Sequence, residues 1–90
     1  MQWTKETLRA HIIDMQRNID LITRQSNFTV IQRRILLDFR KKAQAATRAF
    51  MEAHIETQDT YPLNPTETQY VLEQYNAYFN AIERQKMDNR

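Results

Sequence analysis

Apolar residues return along the first quarter of the chain in steps of four and three, at Leu8, Ile12, Met15, Ile19 and Ile22. At about 100° per residue this spacing keeps them on one narrow line of an α-helix. It predicts a helix over about 4–25. Val71, Tyr75, Tyr78 and Ile82, widened by Leu72 and Phe79, follow the same rhythm and predict a helix over about 65–87. Between them, Phe28, Ile31, Ile35, Phe39, Ala43, Ala46, Phe50 and Ala53 form the main stripe of a long central helix over about 28–57. Three stripes close into one core. The fold class expected is therefore all-α, as a three-helix bundle or a helical hairpin with a third helix, in a single domain over residues 1–90. Its core would be Leu8, Ile12, Met15, Ile19, Ile22, Ile31, Ile35, Phe39, Phe50, Val71, Tyr75, Tyr78, Phe79 and Ile82.

The central segment carries a second apolar line. Val30, Leu37 and Met51 fall at seven-residue intervals, with Gln44 in the missing step and Ile55 close by. Isolated surface hydrophobics are common, but such a line also suits a helix shared between two neighbours. Those neighbours would be the two other helices or a second copy of the chain. At about 1.5 Å per residue a helix of this length would overhang its neighbours, so a dimer is expected. The alanines at 43, 46, 49 and 53 remove bulk from the second half of this helix and pair it with Tyr75, Tyr78 and Phe79 of the third.

Local signals punctuate the same map. Thr4 can cap the first helix, and Thr29 with Gln32 in TVIQ matches a capping box after the polar pair Ser26 and Asn27. One unbroken helix through Ser26 and Asn27 is the competing reading. In NPTE, Asn64 would be the N-cap, Pro65 the first helical residue and Glu67 an acid facing the helix dipole.

Composition agrees with an all-helical chain. Ninety residues contain no glycine, no cysteine and two prolines, which removes most of the residues that hairpins and phosphate-cradling loops use. No disulfide or thiolate chemistry is available, and two histidines make a protein-ligated zinc site unpromising. No apolar run approaches the roughly 18 residues of a membrane span and no secretory signal is evident. A cytoplasmic protein without membrane contact is expected.

The net charge of +2 is unevenly distributed. Arg17, Arg24, Arg33, Arg34, Arg40, Lys41, Lys42 and Arg48 face only Asp20 and Asp38 across residues 17–48, whereas acids predominate after residue 49. Such separation can steer an acidic partner to the middle of the chain. Arg34, Lys41 and Arg48 form one line and Arg33 and Arg40 another, so the central helix could also follow a phosphate backbone.

No residue pattern supplies a catalytic group. His11 and His54 lack the Glu-x-x-His spacing of di-iron bundles, Ser26 has no base near it in sequence, and no two carboxylates are placed together. Neither catalytic residues, nor a metal, nor a cofactor are expected. The function expected is that of a small non-enzymatic helical interaction protein, a regulator, inhibitor, immunity-type or adaptor protein. It would bind another protein, acidic in character, as a homodimer through Val30, Arg33, Leu37, Arg40, Lys41, Arg48 and Met51. The alternative is a nucleic-acid-binding regulator using the basic face.

Overall fold

A computed structural model describes residues 2–88. Three helices follow one another: α1 (Lys5–Gln25), α2 (Val30–Ala53) and α3 (Pro65–Asp88). The fold is an all-α three-helix bundle measuring 45 × 19 × 18 Å. No β-strand is present among the described residues, only an isolated bridge between Thr4 and Pro62.

Each boundary has a visible cause. Thr4 and Thr7 form a capping box at the start of α1. Ser26 leaves the helix with an extended backbone, so α1 and α2 are separate rather than one rod. At α2, Thr29 Oγ1 accepts from the amide of Gln32 and Gln32 Oε1 accepts from the amide of Thr29, which satisfies two otherwise orphaned donors. Asn64 Oδ1 accepts from the amide of Thr66 at the start of α3.

The long α2 expected over 28–57 is shorter at both ends. It begins only after its Thr29 cap, and it stops at Ala53, where the amide of the His54 cap donates to the carbonyls of Phe50 and Met51 and Lys5 secures the turn that follows. The Lys5 ammonium donates to the carbonyl oxygens of His54 at 3.0 Å and Thr57 at 3.0 Å, with Ile55 at 3.5 Å. A cation among the free carbonyls of a helix end is favoured by the helix dipole. Lys5 is consequently buried at 8% exposure, with Asp59 at 3.9 Å as its carboxylate neighbour. The 54–64 loop is tied to the same place by Glu6 N to Asp59 O at 3.2 Å and Leu63 N to Trp3 O at 2.8 Å.

With 24 residues, α2 equals α3 in length and does not overhang it. The helix flanked on both sides is α3. It packs closely along α2 and also along α1, whereas α1 and α2 make no close backbone approach. Leu8, Ile12 and Ile19 of α1 meet Val71, Tyr75, Tyr78 and Ile82 of α3 and Leu36, Ala43 and Phe50 of α2 in one core, closed at the loops by Phe28 and Leu63. Met15, Ile22, Phe39 and Phe79 pack half-buried against it.

Two expected core residues are not there. Ile31 is 70% exposed and Ile35 39% exposed, while Leu36, which the stripe omitted, is 4% exposed. The reason is geometric. Each four-residue step advances about 40° around a helix, so the unbroken fours from Ile31 through Ile35 and Phe39 to Ala43 drift off any single face. The inward line is Gln32, Leu36, Phe39, Ala43, Ala46 and Phe50, which alternates fours and threes. Gln32 anchors it: besides capping α2, its Nε2 donates to the carbonyl of Gln85 on α3 at 3.2 Å.

Polar groups meet where all three helices come together. Gln16 Nε2 donates to Asp20 Oδ1 at 2.9 Å, and Tyr78 of α3 lies beside this pair. Burial raises the Tyr78 phenol above its ordinary value; the charge of Asp20 and the neighbouring Tyr75 act in the same direction, and Arg40 and Gln16 oppose them.

Candidate interaction surface

The 4-3-4-3-4 line that buries α2 has a copy displaced by one residue: Ile31, Ile35, Asp38, Lys42, Ala45 and Ala49. This second line faces outward beside the contact with α3. Its second half forms one wall of a groove of about 830 Å³, floored by Ala46, Phe50 and Val71 and bounded on α3 by Tyr70 and Gln74. Beyond the midpoint a smaller cavity of about 290 Å³ continues it between Ile35 and Phe39 on α2 and Ala77, Ala81 and Arg84 on α3. No residue of α1 lines either cavity. The α2–α3 pair thus has one flank covered by α1 and the other open.

Small side chains create the opening. Ala45, Ala49 and Ala53 stand where longer residues would have met the exposed ring of Tyr70 across the groove. At one end His54 closes it. Its Nε2 lies 2.7 Å from Glu67 Oε2 and its Nδ1 3.1 Å from Thr57 Oγ1, and its ring stacks obliquely on Phe50 with centroids 4.4 Å apart. Both ring nitrogens are thus hydrogen-bonded within the protein, one to a carboxylate and one to a hydroxyl. Among the described residues no group of three His, Cys, Asp or Glu side chains is arranged to hold a metal ion. None of the described helices is long and apolar enough to cross a membrane.

The residues expected to bind a partner are dispersed by this geometry. Val30 and Leu37 are exposed on the side of α2 away from the groove. Met51, the third member of their line, is half-buried and packs on the core. Seven residues fall about 20° short of two helical turns, so over three heptads a line that begins in solvent arrives at the core edge. Arg40 is also half-buried, its charge directed toward Tyr78, and so leaves the proposed basic line. Arg33, Lys41 and Arg48 are exposed, and among the described residues none of them makes an ion pair within 4 Å, the only two such pairs being those of Lys5 and His54. The groove is hidden in the sequence because Ile31 and Ile35, which stand on its outward line, belong to the stripe expected to form the core. The step pattern was the signal that could have revealed it.

No protein family, curated protein or solved structure matches the chain.

Proposed function

We propose that this chain is a helical interaction protein that binds another protein along the open flank of α2 and α3. The observation that carries the reading is the outward line itself: Ile31 and Ile35 in solvent, continuous with a groove of about 830 Å³ whose floor is alanine, Phe50 and Val71. Amphipathic helices are recognised by such grooves through apolar anchors at successive turns. Charged residues rim the apolar floor, with Lys42 and Arg84 toward one end and Glu67 toward the other, the arrangement of a protein interface rather than a small-molecule pocket.

Site-specific photocrosslinking tests it. A benzoylphenylalanine at position 49 should capture protein in native lysate, and the same group at position 44, on the opposite side of α2, should capture much less. Nuclease treatment should leave the adducts at position 49 unchanged. Equal labelling at both positions, or adducts confined to nucleic acid at positions 41 and 48, would favour the basic face instead.

A further inference from the structure

Resting on that reading, we infer that the partner on the open flank is a second copy of this chain, laid antiparallel across a two-fold axis that passes near the middle of α2. The outward line is asymmetric in bulk. Its first half presents the large Ile31 and Ile35, its second half the small Ala45 and Ala49, and Asp38 and Lys42 lie between them.

A two-fold interface must be self-complementary, and reversal makes this line so. When the line is turned end for end about the level of residue 40, Ile31 faces the partner's Ala49 and Ile35 faces the partner's Ala45. Asp38 then faces the partner's Lys42. Each isoleucine enters space that an alanine leaves open, so each end of the groove of one copy is filled from the other. On α3 the same reversal carries Arg84, beside Ile35 at one end of the flank, toward the partner's Glu67, beside His54 at the other end. A parallel pairing fails on both counts. It sets Asp38 against Asp38 and Lys42 against Lys42, and it crowds isoleucines at one end while leaving the alanine groove empty at the other.

The size of the flank suits a stable dimer. A helix of 24 residues extends about 36 Å, and two helices at their usual spacing of 8–10 Å present a face about 20 Å across. That is roughly 700 Å² per subunit, near the ~800 Å² per partner of a standard interface.

The chain has no cysteine, so single introduced thiols report cleanly. Ile35→Cys and Ala45→Cys proteins, mixed in equal amounts and treated with a short bismaleimide, should give a crosslinked dimer far more readily than either protein alone. Unmodified protein should sediment at twice the 10.9 kDa chain mass. Asp38→Lys should raise the dimer dissociation constant about tenfold or more, and adding Lys42→Asp should restore it to within about threefold, with circular dichroism confirming that each variant is folded. Crosslinking of each cysteine protein with itself but not in the mixed pair would overturn the antiparallel arrangement. A monomer at all concentrations would overturn the second copy as partner, yet capture of a different protein at position 49 would leave the binding flank standing; loss of both results would remove both.

Discussion

The ammonium of Lys5, the first residue of α1, stands 3.0 Å from the carbonyl oxygen of His54, the first residue beyond α2. One side chain therefore closes one helix and ties it to the start of another. This contact ties the turn that follows α2 to the start of α1, beside His54 and its partner Glu67 at the end of the groove.

Replacing Lys5 by Met keeps most of the aliphatic stem but leaves the carbonyls of His54 and Thr57 without their charged donor. Hydrogen bonds to charged groups contribute about 1.5–3 kcal/mol, so Lys5→Met should lower stability by roughly 2 kcal/mol. Urea unfolding should show a lower midpoint with an unchanged slope. An unaltered midpoint would mean that water replaces the ammonium without loss.

The inward line of α2 makes Leu36 and Ile35 neighbours with opposite consequences. Leu36→Ala removes a buried side chain and should cost about 2–4 kcal/mol. Ile35→Ala, measured by thermal melting at concentrations low enough to populate monomer, should cost under about 1 kcal/mol. The reverse order would restore Ile31 and Ile35 to the monomer core.

Tyr78 gives the fold an alkaline limit. Its phenol is raised in the folded state, first by burial, so the folded protein holds this proton more tightly than the unfolded chain. The resulting stability is complete below about pH 10, the ordinary phenol value, and declines as pH rises through the folded value. Ultraviolet titration should show a late tyrosine phase above the ordinary phenol value of about 10. In Tyr78→Phe that late phase should vanish, and the loss of stability above about pH 10 should become shallower.

The sequence made some of these relationships plain and concealed others. The steps of four and three in α1 and α3 identified Leu8, Ile12, Ile19, Val71, Tyr75, Tyr78 and Ile82 as inward residues, because each set stays on one face for its whole length. The caps at Thr29 and Asn64 were equally legible, since their partners lie two or three residues away. In α2 apolar residues occur all round the helix, and hydropathy alone cannot choose between the Ile31–Ile35 and Gln32–Leu36 lines. The choice depends on the bond from Gln32 to the carbonyl of Gln85, 53 residues away in sequence. Lys5 was illegible for the same reason: its partners are backbone carbonyls about 50 residues distant, and a carbonyl carries no residue identity to read.

The central claim is that a second copy of the chain covers the open flank of α2 and α3. Sedimentation equilibrium on Ala49→Glu and Leu37→Glu tests it most directly, with circular dichroism as the control for folding. A carboxylate at 49 would be desolvated inside the groove without a partner, whereas one at 37 would stay in water on the far side of α2. Ala49→Glu should therefore lose the assembly formed by unmodified protein while keeping its helix content, and Leu37→Glu should retain both. Loss of assembly in Leu37→Glu, with Ala49→Glu unaffected, would contradict the claim and move the interface to the opposite face of α2.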